Sequence, residues 1–422
     1  MIETVKNAWK IPELRKKLTF VLFAIVIFRL GFAIYVPFVD TYSLANQFAT
    51  LNNGNLLGYF NTLSGGGFAQ ASIFAMSIYP YINASIIIQL LQVAIPALER
   101  LAKEGGEEGK KKIQTIIRCT TLVLAAIMAF GYYITLKTYG VLTRTDAWSG
   151  IVIVMAMIAG SMFVMWLGDQ ITEKGIGNGI SVILLVGIVS QGFKAVNTVL
   201  NLSWWAILVI LAICLGIIAF IVFITEAERR IPVQYAKRVV GRKQYGGQST
   251  HLPMKVNMSG VMPVIFASTI CGVPATIVGF TQPAQGTFWY NLANDWFAPG
   301  APAYIIIYVL LIFAFAYFYS AIQFNPIEIA NNMKKNGGFI PGFRPGKPTS
   351  DFIAKVLNKI TMMGAIFLAI IAALPLILSN IPSLGALGIG GTTTLIMVSV
   401  SLETVRAIEG EMMMRHYKGF LE

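Results

Sequence analysis

The sequence is poor in charged residues, and this scarcity limits the class of protein. Lys and Arg number 32 and Asp and Glu number 19 among 422 residues, so that 12 % of the residues are charged, against about 25 % in an average soluble domain. Hydrophobic residues make up 56 % of the chain, and the mean hydropathy is +0.69. Because so few charges cannot form a polar shell around a chain of this size, the composition excludes a disordered chain and a soluble enzyme.

Cysteine and histidine are also scarce. The cysteines are Cys119, Cys214 and Cys271, and all three lie in apolar runs, which excludes a secreted scaffold built on disulfides. The two histidines, His251 and His416, lie in polar segments. No set of His, Cys and carboxylate residues has the spacing of a metal site, so we expect no metal, no cofactor and no enzymatic activity.

Several charge-free stretches are long enough to cross a lipid bilayer. Residues 41–98, 256–294 and 360–402 contain no Lys, Arg, Asp or Glu, and one crossing needs about 20 apolar residues. The sequence therefore predicts an all-α polytopic membrane protein. Divided at clusters of Gly, Pro, Asn and Ser, the apolar runs give ten predicted spans: 18–36, 72–95, 113–136, 150–169, 178–196, 203–225, 257–280, 303–324, 356–378 and 388–407.

The basic residues indicate the orientation of these spans. Most Lys and Arg fall on the side of the N-terminal tail, and the opposite side carries only Lys137, Arg144 and Lys194. Because cytoplasmic loops are enriched in Lys and Arg, both the N-terminal tail (1–17) and the C-terminal tail (408–422) are predicted to be cytoplasmic.

Two of the cytoplasmic loops are larger and more basic than topology alone requires. They cover residues 226–256 and 325–355, and both are rich in Gly and Pro. For the smaller loops, the basic residues are explained as topology determinants. The two large loops are interpreted as protruding basic fingers that meet an acidic partner or phosphate.

The ten spans divide into two halves of five, residues 18–196 and 197–407. Because five is odd, the second half crosses the membrane in the opposite sense, which is the arrangement of an inverted repeat. Residues 80–85 in span 2 and residues 263–268 in span 7 both read P-x-I-x-A-S. A proline inside a helix is expected to kink it, and paired interrupted helices are typical of a transport pathway.

Span 2 carries polar residues along an aliphatic stripe, which suggests a lining of that pathway. Ile78, Ile82 and Ile86 share one face at helical spacing, so they form either a core stripe or part of a hydrophobic constriction. The spans contain no central acidic residue, which disfavours an ion-coupled carrier. Arg29 in span 1 is predicted to snorkel or to pair with a backbone carbonyl.

The segment between spans 1 and 2 allows two interpretations. It runs from Asp40 to Ser72, is apolar enough to re-enter the membrane, and contains three consecutive glycines, Gly65 to Gly67. Glycines weaken a helix, so the segment is either an ordinary exposed loop or a weakly held cap over a pore.

Over essentially its whole length, the sequence resembles the bacterial SecY-type protein-translocation channels. The most specific matches are FNTLSGGGFAQASIFAMSIYPYINASIIIQLL, GIGNGIS at 175–181 and the block ERRIPVQYAKRVVGRKQYGGQSTHLPMKVNMSGVMPVIFAS at 228–268. PGFRPG at 341–346 and GIGGTTTLIMVSV at 388–400 add to the resemblance.

The resemblance implies an hourglass pore between the two five-helix halves, with an aliphatic ring at its waist. Matched motif by motif, the ring residues are Ile78, Ile82, Ile180, Leu184, Met262, Ile265 and Ile396. The family's plug corresponds to residues 57–70, with Phe60, Leu63, Gly65, Gly66, Gly67 and Phe68 as its main residues. Asn83 corresponds to a polar position of the lateral gate, through which hydrophobic segments leave for the lipid.

The resemblance also implies partners and a location. The two basic loops would be the docking site for a SecA-like translocation ATPase or the ribosome, through Arg238, Arg242, Lys243, Arg344 and Lys347. Small SecE-like and SecG-like membrane subunits would accompany the chain in the bacterial cytoplasmic membrane. The expected function is the passage of secretory polypeptides and the lateral release of transmembrane segments, with an inverted-repeat small-molecule transporter as the alternative.

Overall fold

The structure is a computed structural model that describes residues 2–51, 61, 64–200, 204–235, 238–240, 243–245, 249–281, 287–292, 296–297, 301–378 and 391–418. Its contacts divide the chain into two compact units. Unit 1 comprises Met1–Leu202, Gly272–Ala301 and Val400–Glu422, and unit 2 comprises Ser203–Cys271 and Pro302–Ser399. Residues 18–196 of the predicted N-terminal half belong to unit 1, and the predicted C-terminal half, 197–407, is divided between the two units. The two halves stay a prediction.

Helices dominate the first part of the chain. They are α1 (Ile2–Lys10), α2 (Pro12–Phe32), α3 (Thr41–Leu51), α4 (Tyr79–Ala94), α5 (Pro96–Lys103), α6 (Gly106–Thr138), α7 (Ala147–Lys174) and α8 (Gly179–Leu200).

The second part of the chain adds five strands. Its elements are α9 (Trp204–Glu226), β1 (Glu228–Tyr235), β2 (Arg238–Val240), β3 (Lys243–Tyr245), β4 (Ser249–Lys255), α10 (Met262–Thr281), α11 (Phe288–Asn291), α12 (Pro302–Gln323), α13 (Pro326–Lys335), β5 (Gly338–Phe339), α14 (Lys347–Leu378) and α15 (Gly391–Lys418).

Each predicted span overlaps one of these helices, from α2 for the first span to α15 for the tenth. Within the described residues, four helical stretches are both long and apolar enough to cross a membrane: Gly106–Thr138, Ala147–Lys174, Pro302–Lys335 and Lys347–Leu374. A fifth results when α4 and α5 are counted together across their 106° bend. The structure is thus a mostly helical protein with several apolar spans, and the number ten stays a prediction.

The prolines of the two P-x-I-x-A-S motifs begin helices instead of kinking them. Pro80 is the second residue of α4 and Pro263 is the second residue of α10. A proline fits the first helical turn because its missing N–H has no partner within the helix at that position. The expectation of kinked helices was therefore wrong, and span 2 is helical only from Tyr79 onward.

The two basic loops contain strands that pair with one another, so the chain is mostly helical and not all-α as predicted. β1 pairs antiparallel with β4, with Ile231 opposite Leu252, and on its other edge with β5. One hydrophobic cluster joins both loops to α13 and α14; its buried members are Ile231, Val233, Met254, Met333, Ile340, Ile353, Leu357 and Ile360. We refer to β1, β4, β5, α13 and the first turns of α14 as the cytoplasmic lobe, after the predicted orientation of these loops.

The first part of the segment after α2 forms the helix α3. The Asp40 carboxylate accepts hydrogen bonds from the backbone N–H groups of Tyr42 and Ser43 and from the Ser43 hydroxyl, and so begins α3. The Ser43 hydroxyl is the main reason that the pKa of Asp40 lies below its ordinary value. Near the middle of α3, the Gln47 amide donates to the Tyr139 carbonyl.

Candidate plug seat and docking surface

Residues 64–78 form a chain of turns that connects the glycine run to α4. Gly65 and Gly66 have φ angles of 74° and 91°, and Ala71 and Ser77 also have positive φ, at 45° and 47°. Positive φ is common for glycine and rare for other residues, so the two non-glycine positions show that packing determines the path of this segment. We call residues 64–78 the plug stalk.

The glycine end of the plug stalk rests on α8. A Cβ atom at Gly65 would lie 3.1 Å from both the Cα and the carbonyl oxygen of Gly187. The Ser190 hydroxyl lies 2.7 Å from the Gly187 oxygen and 3.4 Å from the Gly65 oxygen. The two backbones therefore approach each other closely because neither residue has a side chain.

Phe68 is held by a tyrosine of α6. The Tyr132 hydroxyl donates a hydrogen bond of 2.6 Å to the Phe68 carbonyl oxygen. The two rings meet edge to face with 4.5 Å between their centroids, and Tyr132 is 2 % exposed. A buried hydroxyl needs a partner, and here that partner is the backbone of the plug stalk.

The middle of the plug stalk is wedged between α2 and α7. A Cβ atom at Gly31 of α2 would lie 1.8 Å from the ring of Phe74, and one at Gly160 of α7 would lie 2.1 Å from the Ile73 carbonyl oxygen. Gly67 faces Phe32 of α2, whose ring would lie 2.6 Å from an added Cβ. These glycines provide the space in which the plug stalk lies.

We call Phe32, Tyr132, Gly187 and Ser190 the plug seat. Of the predicted plug residues, Gly65, Gly66, Gly67 and Phe68 are placed in or beside it, whereas Phe60 and Leu63 lie outside the described residues. A small cavity next to the seat is lined by Ser64 and Phe68 of the plug stalk and by Leu184 of the predicted ring. Within unit 1, residues of the predicted plug and of the predicted ring are therefore neighbours.

Four of the predicted ring residues belong to unit 1, and two of them, Ile78 and Ile180, lie against Gly168 of α7. At Gly168, an added Cβ would lie 3.3 Å from Cδ1 of Ile78 and 3.5 Å from Cγ1 of Ile180. Ile78 is completely buried, and Ile82 and Leu184 are 9 % and 8 % exposed. Ile78 precedes α4 as its N-cap, so the predicted stripe of Ile78, Ile82 and Ile86 begins in the last turn of the plug stalk.

The glycine-rich turn before α8 positions Ile180 and Leu184. The Asn178 side chain caps α8 by accepting from the backbone N–H groups of Ile180 and Ser181. The Thr172 hydroxyl accepts from the Gly179 N–H. A Cβ at Gly179 would lie 2.1 Å from the Gly168 carbonyl oxygen, which explains the glycine of this motif.

The other three predicted ring residues belong to unit 2. Met262 begins α10 and is 36 % exposed, Ile265 is half-buried one turn later, and Ile396 on α15 is 3 % exposed. The ring as a whole stays a prediction.

Asn83 of α4 is the predicted polar gate position. Its Oδ1 atom is buried and has no hydrogen-bond partner among the described residues. Because an unpaired buried acceptor is costly, this atom is available to a group that the described chain does not provide.

The predicted docking residues lie in or beside the cytoplasmic lobe. Arg344 and Lys347 are exposed. Phe343, which precedes Arg344, stacks on Phe352 of α14 with 4.2 Å between the ring centroids. The Thr349 hydroxyl donates to the Arg344 carbonyl oxygen, and this hydrogen bond holds the turn that carries Arg344 against the start of α14. Arg238 is the first residue of β2 and Lys243 is the first residue of β3, and the two strands pair with each other. Arg242 lies outside the described residues.

Sequence reasoning missed the plug seat. Tyr132, Gly160 and Gly187 appear in their spans as one aromatic residue and two small ones, and their partners are far away in the chain. The sequence does contain a pattern that indicates β1 of the cytoplasmic lobe. The apolar residues Ile231 and Val233 lie two positions apart and are the buried positions of the strand, as in a strand with one buried face.

Comparison with sequence relatives shows close similarity over the full chain. The family model that matches is SecY, over residues 72–405. The protein translocase subunit SecY of Streptomyces scabiei is 44 % identical over 445 residues, covering 100 % of each chain. The protein of the same name from Thermotoga maritima is 40 % identical over 439 residues, covering 100 % of this chain and 98 % of that protein.

Solved structures share the fold. A protein-conducting channel matches with a TM-score of 0.67 and 17 % identity, over 96 % of both chains. A SecY structure concerned with the plug domain in the closed state matches with a TM-score of 0.64 and 18 % identity, again over 96 % of both chains. Sec61 in the canine ribosome–channel complex matches with a TM-score of 0.62 and 16 % identity, over 96 % of both chains. From the family model and the full-length relatives together, we conclude that the chain belongs to the SecY family.

Proposed function

We propose that this chain is the channel-forming subunit of a protein translocase, which passes unfolded secretory polypeptides across the membrane and releases transmembrane segments sideways into lipid. The observation that supports this function most directly is the plug seat. Residues 64–78 form turns among α2, α6, α7 and α8, and Gly31, Gly160 and Gly187 of three of these helices lie directly against them. Such a segment is able to leave without unfolding the helices around it.

The proposed architecture is an hourglass of ten transmembrane helices in two inverted five-helix halves. The ring of Ile78, Ile82, Ile180, Leu184, Met262, Ile265 and Ile396 closes its waist. Aliphatic side chains suit this role because they contact any polypeptide without binding it tightly and exclude water and ions when the pore is empty. Membership of the SecY family favours this channel over a small-molecule transporter.

The cytoplasmic lobe is proposed to dock a SecA-like ATPase or the ribosome, and the similarity to a ribosome-bound channel supports the second partner. SecE-like and SecG-like subunits, a lateral gate that includes Asn83, and a bacterial cytoplasmic membrane with both chain ends in the cytoplasm complete the proposal. The positive-inside distribution of Lys and Arg supports this orientation.

Site-specific crosslinking tests the channel function. A photoreactive amino acid at Ile82 is expected to crosslink to a secretory polypeptide that is stalled in transit by a folded C-terminal domain, because the ring surrounds the passing chain. The measurement is the yield of the crosslinked adduct after illumination of an active translocation reaction.

The matched control carries the same photoreactive group at Leu211, which is 56 % exposed on α9 and is expected to face lipid. A yield at Ile82 no higher than at Leu211 would argue for the small-molecule transporter.

Replacing Tyr132 by Phe tests the plug seat. The ring contact with Phe68 remains, but the hydrogen bond to its carbonyl oxygen is lost, and an unpaired buried carbonyl costs about 1–3 kcal/mol. The open state should therefore become about tenfold more populated, and the resting ion conductance of reconstituted vesicles should rise accordingly. Tyr133, the next residue, provides the control as Tyr133→Phe; equal conductance of both variants and the wild type would contradict the assigned role of Tyr132.

A further inference from the structure

Arg29 is a cation in the last turn of α2, inside a predicted span. A guanidinium stays protonated under all ordinary conditions, and a charge at membrane depth is costly and marks a functional position. Within the described residues, no carboxylate lies within 4.0 Å of Arg29. Neutral partners therefore hold it, and they indicate its role.

The first partner is the backbone of α8. Nη2 of Arg29 donates to the Val186 carbonyl oxygen at 3.4 Å, as one of the two sequence-based alternatives predicted. Val186 immediately precedes Gly187, on which Gly65 of the plug stalk rests. The guanidinium thus reaches the α8 side of the plug seat.

The second partner is the ring of Phe32, one helical turn further along α2. The Cζ atom of Arg29 lies 5.5 Å from the centroid of this ring, within the range of a cation–π contact. The edge of the same ring faces Gly67 of the plug stalk, and Phe32 also packs edge to face on Phe74 at 6.1 Å. The guanidinium thus also reaches the α2 side of the plug seat.

We propose that Arg29 is a positioning residue for the plug: it braces α2 against α8 and so sets the spacing of the two walls between which Gly65 and Gly67 lie. This role rests on the proposed channel function, because it concerns the segment that closes the channel. A planar guanidinium combines a directed N–H donor with a face that stacks on an aromatic ring. A snorkelling arginine would make neither contact, since its charge would lie in the aqueous layer.

The experiment follows the exposure of a single thiol in the plug stalk. In a full-length chain with Cys119, Cys214 and Cys271 replaced by Ala, Ser64→Cys introduces a nearly isosteric thiol at a position that is 4 % exposed. The chain is purified together with its accessory subunits and reconstituted into vesicles. A membrane-impermeant maleimide is added, and the labelling rate reports release of the plug stalk.

Arg29→Gln is expected to raise the labelling rate about tenfold, which is the effect of losing one hydrogen bond from a charged group. Arg29→Lys should fall between Arg29→Gln and the wild type, because it keeps a cation near Phe32 but loses the planar donor. Arg118→Gln is the matched control: it also removes a guanidinium from a predicted span, but one that pairs with Asp169, and it should label at the wild-type rate.

Two results would overturn the proposal: a wild-type labelling rate in Arg29→Gln, or equal acceleration in Arg29→Gln and Arg118→Gln, which would indicate general loosening of the fold. Ion conductance measured on the same vesicles separates the proposal from the channel function. Faster labelling with an unchanged conductance would retain the bracing role of Arg29 and contradict the plug as a seal.

Discussion

Replacing Gly160 by Val is expected to open the channel permanently to ions. A Cβ atom at this position would lie 2.1 Å from the Ile73 carbonyl oxygen and 2.7 Å from its Cγ2 atom, so even alanine overlaps with backbone. On the opposite side, the ring of Phe74 already lies against Gly31, so the plug stalk has no free space toward α2. Residues 73–74 must therefore leave their place between the two helices.

The displacement should reach both ends of the plug stalk. On one side of Ile73, Ile78 follows five residues later and packs at Gly168. On the other side, Gly67 and Phe68 precede Ile73 in the plug stalk. We expect a cost of at least about 3 kcal/mol, at the upper end of ordinary overpacking, and this corresponds to a shift of about a hundredfold toward the displaced state. The measurement is the resting conductance of vesicles that contain the variant, normalised to the amount of inserted protein.

Gly216→Val is the matched control for Gly160→Val. Gly216 lies in α9, is exposed, and has no atom within 4 Å of an added Cβ. It should insert normally and remain closed. A tight, normally inserted Gly160→Val channel would show that the plug stalk does not lie between α2 and α7.

Replacing Arg344 by Glu is expected to abolish most translocation that depends on a cytoplasmic partner. The side chain is exposed on a turn that the stacked rings of Phe343 and Phe352 and the hydroxyl of Thr349 hold in place. Gly342 and Gly346 on either side have φ angles of 88° and 107°, which shape the turn. Because the position of the charge is fixed, its reversal replaces an attraction to an acidic partner by repulsion at the same place.

We expect the rate of ATP-driven translocation into vesicles to fall at least about tenfold, the lower end of the effect of disrupting a docked charge pair. Ribosome binding, measured by co-sedimentation with the vesicles, distinguishes the two candidate partners. Insertion and resting conductance should stay at wild-type values, because Arg344 lies far along the chain from the plug stalk and in the other unit.

Lys335→Glu is the control for Arg344→Glu. Lys335 is an exposed cation in the last turn of α13, in the same cytoplasmic lobe. Equal losses in the two variants would mean that the partner responds to the total charge of the lobe, and the specific assignment of Arg344 would fail.

The sequence was most informative where a property depends on residues close together in the chain. The run 113–136 predicted α6 because apolar composition is local, although the helix begins seven residues earlier, at Gly106, in a charged segment. The motif at 80–85 lies where α4 begins. The sequence alone predicted that Pro80 kinks a helix. The structure shows turns directly before Tyr79, so the helix begins there and Pro80 lies in its first turn.

The plug seat could not be predicted because its contacts join distant parts of the chain. Tyr132 meets Phe68 across 64 positions, and nothing around Tyr132 indicates which backbone carbonyl its hydroxyl meets. The same holds for Gly160, where the sequence shows a small residue but not the carbonyl that requires it. The cytoplasmic lobe was partly predictable from the sequence. The residues of β1 have the pattern of a strand, but the Pro and Gly residues around them favoured a loop.

The way α4 begins has a consequence for the dryness of the pore. A helix normally starts with N–H groups that lack a partner in the helix and require water or a cap. In α4, Pro80 has no N–H, and the N–H groups of Tyr79, Tyr81 and Ile82 bond to the carbonyl oxygens of Met76 and Ile78. The helix therefore starts beside Ile78 and Ile82 of the predicted ring without a free backbone N–H that would hold water there. In the proposed channel, the backbone at this edge then offers no donor from which a water wire, the route by which protons would cross a closed channel, could start.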